Sequence, residues 1–331
     1  MSDAVIISSR VRLARNLKDY PFPNRMDEKE REEIADKVQN LMCGGDFCGY
    51  KFLAVKMEDV NEFDRIAMVE RHLISPEFAD GGKGKLLITT ENEEISIMVG
   101  EEDHLRIQVI LPTFEIEKAY NIADELDTEL NKYLRFAFDK RLGFLTQCPT
   151  NLGTGMRASI MMHLPALKES RTVSRIAANL SKLGLVIRGA YGEDTEAKGA
   201  MYQISNQVSL GISEKSAIEN LKSITEQLAN SELKTRETMM QSFEYQDKIG
   251  RSYGILITAR LISHQEAVKL LSNLRVGICE GLIDSVTLET VDSLMLKIQP
   301  ASLMRIKGMR LSPDERDRVR AEIIREELRF K

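Results

Sequence analysis

Period-two alternation of apolar residues, the signature of strands packed on one face, stops near residue 235 of this 331-residue chain. Ile95, Ile97 and Val99 alternate with Ser96 and Met98, and Leu105, Ile107, Val109 and Leu111 alternate again after an acidic run. Two strands therefore flank Glu101-Glu102-Asp103, which falls on or near a hairpin. Residues 156–164 read as extended up to Pro165, and Leu185-Val186-Ile187 as another strand. From about 236 to the end only helical spacing remains, so a mixed strand-and-helix region precedes an all-helical one. At roughly 150 residues per domain, two domains are the expectation.

Helical segments are punctuated by their own caps. Asp27 and Glu30 have capping-box spacing ahead of Ile34, Val38, Leu41 and Met42 on one stripe. A long helix is expected over 114–140, then a short strand over 143–147 entering a loop, Cys148-Pro-Thr-Asn-Leu-Gly-Thr154. Val173, Ile176, Ala177, Leu180 and Leu183 follow helical spacing with Gly184 as a stop, and Ser213 caps a helix with Ala217, Ile218, Leu221, Ile224 and Leu228 on one side. Gly189, Gly192 and Gly199 in eleven residues suggest a mobile lid.

Composition narrows the class. With 43% hydrophobic and 29% charged residues and a net charge of −5, the chain is an ordinary globular protein without the domain-wide basic excess of a nucleic-acid binder; nucleic acid is expected only as an indirect partner. No run approaches the ~18 apolar residues of a membrane span, and Met1-Ser2-Asp3-Ala4 lacks a secretory n-region, so a cytoplasmic location is expected. Cys43, Cys48, Cys148 and Cys279 are too few for a disulfide framework. Cys43 and Cys48 resemble half a zinc site, but no second pair completes it; two thiols beside a turn is the plainer reading.

The charged residues carry the chemistry. Glu102 and Glu193 stand in unrelated parts of the chain, accompanied by Arg10, Arg12, Arg106, Arg157 and Arg188, each in its own short motif. Carboxylates grip a planar guanidinium, and several arginines cradle a polyphosphate. A guanidinium nucleophile, with a pKa above about 12, also needs a nearby proton acceptor. The set suits a reaction joining a guanidinium to a triphosphate. A P-loop is excluded, because Gly81-Gly82-Lys83-Gly84-Lys85 has the wrong frame. Gly153-x-Gly155-x-x-Ala158 matches a dinucleotide fingerprint only loosely, since it opens a strand rather than a helix. Taken singly, each arginine is more often a surface ion pair, and Cys148 could equally be a small buried hydrophobe.

Five motifs in register are more specific: Ser8-Ser9-Arg10-Val11-Arg12, the run from Glu101 to Arg106, Cys148 to Thr154, Arg157-Ala158-Ser159, and Arg188-Gly-x-x-Gly-Glu193. Together they resemble the ATP:guanido phosphotransferases, in the order of that family and over residues 5–235. The resemblance implies an α+β fold, in which residues 1–235 form an antiparallel sheet flanked by helices and 236–331 a helical C-terminal domain. It implies ATP and Mg²⁺ as cofactors, with Mg²⁺ bound by no residue directly and Glu101 reaching it through water. Arg10, Arg12, Arg106, Arg157 and Arg188 become the phosphate clamp, and His72 an adenine contact. The nucleotide-binding runs extend to Ser8, Ser9 and Val11, to Ala158, Ser159, Ile160 and Met161, and to Gly189, Ala190, Tyr191, Gly192 and Glu193. Glu102 and Glu193 become the guanidinium-gripping pair with Glu102 as base, and the Cys148 thiol orients the guanidinium. Gly100 stands where the small-molecule kinases usually have Asn, and Met161 where they often have His.

Two features point to a branch of the family. The first arginine motif comes almost at the start of the chain, without the small helical domain that covers free substrates, and a helical extension follows instead. Ser312-Pro313-Asp314-Glu315 is a capping box, and on the helix it starts Arg316 and Arg320 fall within the stripe of Val319, Ile323 and Ile324. Glu327, on the same face, is one candidate partner. The run Arg316-Asp317-Arg318-Val319-Arg320-Ala321 also resembles the motif by which bacterial protein-arginine kinases bind phosphoarginine allosterically, so Arg316, Asp317, Arg320 and Ala321 are candidate effector contacts. That likeness implies phosphorylation of arginine side chains in protein substrates, marking for Clp proteolysis in a stress response, a zinc-binding, McsA-like activator, a Clp ATPase partner and a homodimer. The alternatives are a kinase of free arginine or another small guanidino compound, and a non-catalytic phosphoarginine-binding adaptor.

Overall fold

The computed structural model describes residues 4–190 and 197–329. Eight strands form its main sheet: β1 Ile6–Arg15, β2 Leu53–Lys56, β3 Leu86–Thr89, β4 Ile95–Val99, β5 Leu105–Pro112, β6 Met156–His163, β7 Leu185–Gly189 and β8 Met201–Asn206. Their order is β7-β8-β6-β1-β5-β4-β3-β2, and every pairing is antiparallel. The helices are α1 Glu28–Met42, α2 Glu62–Glu70, α3 Ile116–Leu134, α4 Val173–Lys182, α5 Glu214–Met239, α6 Phe243–Thr258, α7 His264–Cys279, α8 Leu288–Lys297, α9 Pro300–Lys307 and α10 Pro313–Leu328, with short helical turns between them. No helix among the described residues is long and apolar enough to cross a membrane.

The sheet has an apolar face and a polar one, because side chains alternate along each strand. Val11 and Leu13 of β1 lie opposite Val109 and Ile107 of β5 and Ala158 and Met156 of β6, all almost wholly buried. With Ile160, Ile187 and Ile204 they form the main core, which α3 and α5 cover with Ala119, Ala123, Leu126, Ile218 and Leu221. The other face is covered at its two ends only. Met201 of β8 and part of Met161 pack into a second core with Val268, Leu271, Leu294 and Ile324 of the C-terminal helices. Leu87 and Met98 pack under Met57, Leu73 and Phe78. The strip between these two coverings holds the arginines.

Local signals mostly set the elements where the spacing predicts them. Both capping boxes form: Asp27 with Glu30 at the start of α1 and Ser312 with Glu315 at the start of α10. The helix expected over 114–140 ends early, at Leu134. Arg135 turns left-handed at φ 50°, the Asn131 side chain accepts the N–H of Phe136, and Phe136 bridges back to Leu17. Burying Phe136 beside Leu17, just past the end of β1, outweighs another turn of helix.

A boundary drawn at 235/236 cuts α5 one turn before its end. Glu232 and Arg236, both fully buried, pair there at 3.1 Å. The Glu232 carboxylate also accepts the N–H groups of Ala166 and Leu167, so this ion pair has the extra hydrogen bonds that buried charges require.

Candidate active site

Register alone gathers the arginines. Arg10 and Arg12 are two apart on β1; Arg12 lies opposite Arg157 of β6, Ala14 opposite Arg106 of β5, and Arg10 opposite Ser159. Ser159 leads to Ser205, and Arg188 of β7 lies opposite Gln203 of β8. All five arginines thus project from one face. Arg10 donates to Gln203 Oε1 at 2.8 Å and to Ser159 at 3.4 Å; Arg157 reaches Ser205 Oγ at 3.5 Å. The Nε atoms of Arg12 and Arg157 are buried without hydrogen-bond partners among the described residues.

This is a concentration of like charge held out of water. Burial, then Arg157 and Arg106, push the Arg10 guanidinium down to about 10. Burial, then Arg10, Arg106 and Arg157, depress Arg12 well below the ordinary arginine range, against a partial offset from Glu101. Burial and Arg188 lower Arg157. Such a cluster is destabilised when alone and stabilised by an anion, and its fixed orientation leaves little reorganisation when one binds. A cavity of about 970 Å³ opens beside it, lined by Arg10, Arg12, Arg106, His72, Glu101 and Glu102 among others. That volume lies within the range of small-molecule sites. Burial, Arg10 and Arg12 drive His72 down to about 4, so its ring is neutral at pH 7.

Glu101 and Glu102 sit in the β4–β5 turn and divide their tasks. Glu101 is almost wholly buried; its Oε1 takes Arg106 at 2.7 Å and Ser75 Oγ at 2.7 Å, and its Oε2 takes the N–H of Glu102 at 2.8 Å. Glu102 keeps 38% of its side chain exposed and meets Arg106 at 3.2 Å. Burial raises its carboxyl above the ordinary range; Arg106 is the main influence opposing that rise, and the Cys148 thiol, hydrogen-bonded to it, adds a smaller one. Gly100 enters the turn at φ +78°, a left-handed conformation that favours glycine, and a Cβ there would come 3.0 Å from the Gly84 carbonyl oxygen.

Asp103 fastens the two chemical loops together. Its Oδ1 accepts from Asn16 Nδ2 at 2.6 Å and from the N–H of Gln147 at 2.7 Å, so the residue after Glu102 holds the residue before Cys148. His104 Nδ1 accepts from Leu17 N–H at 2.9 Å, which leaves Nε2–H to donate to the Pro21 carbonyl. In the Cys148 loop, Sγ lies 3.0 Å from Thr150 Oγ1. Gly153, at φ +109°, leaves no room for a Cβ, which would come 2.3 Å from the Ser209 carbonyl oxygen.

Not every expected contact points into the cavity. Ser9, Val11, Ala158 and Ile160 alternate onto the apolar face and are buried there; Ser9 Oγ donates to the Thr113 carbonyl and accepts from Glu115 N–H. Their side chains serve the core, and only their backbone belongs to the nucleotide runs. Ser8 and Ser159 lie on the arginine face, Met161 turns partly into the second core, Arg188 is exposed at the end of β7, Gly189 is buried there, and Ala190 lines the cavity. Tyr191, Gly192 and Glu193 lie outside the described residues. On α10, Glu327 pairs with Lys297 rather than with an arginine of its own helix. Arg320, 2% exposed, is instead hydrogen-bonded to Asp317 and to two backbone carbonyls. The buried stripe is Arg320, Ala321, Ile324 and Leu328, with Arg316, Val319 and Ile323 half-buried beside it. Sequence reasoning missed Gln203, Ser205, Asp103 and Asn16; the alternation of Gln203 and Ser205 with Ile204 along β8 is the signal that could have found the first two, whereas nothing local marked the others.

Comparison with known proteins agrees with this geometry. Residues 33–235 match the ATP:guanido phosphotransferase C-terminal catalytic domain, and residues 242–331 the protein-arginine kinase McsB C-terminal domain. The chain is 45% identical over 326 residues to a protein-arginine kinase of Halothermothrix orenii, covering 98% of this chain and 93% of that one. It is 43% identical over 330 residues to a protein-arginine kinase of Caldanaerobacter subterraneus subsp. tengcongensis, covering 99% and 98%. Among solved structures, lombricine kinase superposes with a TM-score of 0.62 at 21% identity, covering 70% of this chain and 67% of that one. The duplicated taurocyamine kinase from Schistosoma mansoni superposes at 0.65 and 22%, covering 86% of this chain and 48% of that one, about half its length. The chain therefore belongs to the ATP:guanido phosphotransferase family, among the members that carry a protein-arginine kinase C-terminal domain.

Proposed function

We propose that this chain transfers the γ-phosphoryl group of ATP to the guanidinium of arginine side chains in proteins. The observation that carries the reading is Glu102, a half-exposed carboxylate of raised basicity beside Cys148 at the wall of an arginine-lined cavity. A guanidinium nitrogen attacks the γ-phosphorus, the P–O bond to ADP breaks, and the proton leaves nitrogen for Glu102. Phosphoryl transfer asks mainly for alignment and charge neutralisation, which the fixed arginines would supply. Glu193 is the proposed second carboxylate on the guanidinium. Both Glu101 oxygens are engaged, so it would meet Mg²⁺ through water. That fits an ion whose remaining ligands are phosphate oxygens and waters. When bound, the ion neutralises phosphate charge.

A protein substrate is favoured over free arginine by the kinship with protein-arginine kinases over nearly the whole chain. On this reading residues 1–235 are the catalytic domain, and 236–331 sense phosphoarginine through Arg316, Asp317 and Arg320. Marking for Clp proteolysis, a zinc-binding activator, a homodimer and a cytoplasmic site of action belong to the same proposal. Incubation with ATP and either an arginine-rich protein or free arginine, followed by assay for an acid-labile P–N product, tests it. Product on the protein is expected; product on free arginine alone points to a small-molecule kinase, and none on either to an adaptor.

A further inference from the structure

The cavity lined by Arg10, Arg12 and Arg106, which Arg157 and Arg188 do not reach, is not closed by the catalytic domain. His264, the first residue of α7, and Gln299 and Pro300, at the start of α9, line it together with Arg10, Arg12 and His72. All three come from the C-terminal helices. His264 Nε2 is buried without a hydrogen-bond partner among the described residues, an arrangement that costs free energy until a ligand or water satisfies it. Burial, Arg320 and Lys198 lower its basicity, partly offset by a hydrogen bond with the Gln299 side chain, whose Nε2 also donates to the Met295 carbonyl, so the ring favours its neutral form. It is suited to a base or a ribose rather than to a phosphate.

Two side chains fix this wall from behind. The Arg320 guanidinium donates from Nε to the Ile298 carbonyl at 3.0 Å and from Nη1 to the Ile262 carbonyl at 3.0 Å. Ile298 immediately precedes Gln299, and Ile262 is two residues before His264, so one buried arginine staples together the two segments that carry the wall. From the other side, the Glu70 carboxylate accepts the N–H groups of Ala301 at 2.8 Å and Ser302 at 2.7 Å and the Ser302 hydroxyl at 2.8 Å. Glu70 ends α2, two residues before His72. The edge at 299–300 is thus gripped between the effector helix and the segment that carries His72.

We infer that His264 and Gln299 are nucleotide-binding residues, contacting the base–ribose end of ATP opposite the arginine clamp, and that Arg320 acts through them as a positioning residue. The inference rests on the reading that the cavity takes ATP. Any ligand that draws on the Arg320 guanidinium then alters ATP affinity, because two ligands that share one structural element are coupled reciprocally.

Calorimetric titration of the full chain with Mg·ATP and, separately, with Mg·tripolyphosphate tests this, because the second ligand has phosphates and no base or ribose. His264→Ala and Gln299→Ala should each weaken ATP about 2- to 10-fold, the effect of one uncharged hydrogen bond, and leave tripolyphosphate affinity unchanged. Arg320→Lys, which keeps the charge but not the forked geometry, should give the same ATP-selective loss; Arg12→Ala should weaken both ligands. Unchanged ATP affinity in the His264 and Gln299 variants, or equal loss for both ligands, overturns the proposal and leaves the ATP reading intact. A wild type that binds tripolyphosphate as tightly as ATP overturns it too, and one that binds no nucleotide sinks the ATP reading with it.

Discussion

Glu102 Oε2 stands 3.2 Å from Nη2 of Arg106, so the proposed proton acceptor and the phosphate clamp are in direct contact. On the proposed reading, one guanidinium would meet both the nucleotide and the acceptor. Glu102→Gln keeps the size and removes the basicity. It should cost about 10²–10⁴ in transfer rate, the usual worth of a positioned base, with ADP affinity changed little. Single-turnover kinetics beside equilibrium ADP binding separate the two quantities, and near-normal transfer takes Glu102 out of the proton-acceptor role.

The pH profile carries a sign. Protonating Glu102 removes the acceptor, so the rate falls as pH drops through its pKa, which burial holds above the ordinary carboxylate range. The acid limb should therefore lie higher than that of a free glutamate. Arg106 opposes the rise most and the Cys148 thiol adds a smaller opposition, so Cys148→Ala should move the limb slightly to higher pH. A limb that moves down, or stays put, contradicts the hydrogen bond between them as the cause.

Buried like charges trade stability for binding. Arg12→Met removes one member of a cluster whose neighbours depress it. It should leave the apo protein equally stable or more so, while shrinking the gain in Tm on adding Mg·ATP. Thermal melts with and without nucleotide read both effects. A large loss of apo stability would show that Arg12 is a structural residue.

The phosphate clamp should act on rate as well as affinity. Arg157→Ala and Arg188→Ala are expected to slow transfer strongly, since an arginine aimed at a transferring phosphoryl group is worth up to about 10³–10⁵. Arg318→Ala, exposed on α10, is the control. Equal losses in all three variants would point to folding.

At the domain joint, Glu70→Ala leaves the N–H groups of Ala301 and Ser302 without their acceptor. Loss of a helix cap costs about 0.5–2 kcal/mol, and chemical denaturation should show a destabilisation in that range. No change would mean that water replaces the carboxylate without cost.

Regulation is separable from chemistry. If α10 senses phosphoarginine, Asp317→Ala should abolish activation by added phosphoarginine while its unstimulated rate at saturating Mg·ATP stays close to wild type. Titrating the initial rate with phosphoarginine in both proteins decides it. A wild type that does not respond, or a variant that responds equally, returns Asp317 to a purely local role as the partner of Arg320.

Much of this site was legible because strands reveal which side chains share a face. Arg10, Arg12, Arg106 and Arg157 could be assigned to motifs, and period-two alternation then brings them together once the strands pair. The caps at Asp27 and Ser312 were equally readable, because each is a contact between residues three apart. What escaped depends on distant partners. Asp103 joins loops 44 residues apart, and Glu70 caps a helix 231 residues away; neither leaves a local pattern. The fate of Arg320 was half legible. Its place on the buried stripe followed from helical spacing, but the carbonyls of Ile262 and Ile298 that receive it come from tertiary packing alone.

The most direct test of the central claim is a ³¹P NMR time course of the chain with Mg·ATP and an arginine-rich protein. The proposed activity predicts a growing acid-labile P–N signal on the protein that matches the loss of γ-phosphate and the rise of ADP, and no such signal with Glu102→Gln. ADP accompanied only by inorganic phosphate, or a P–N signal undiminished in the variant, would contradict it.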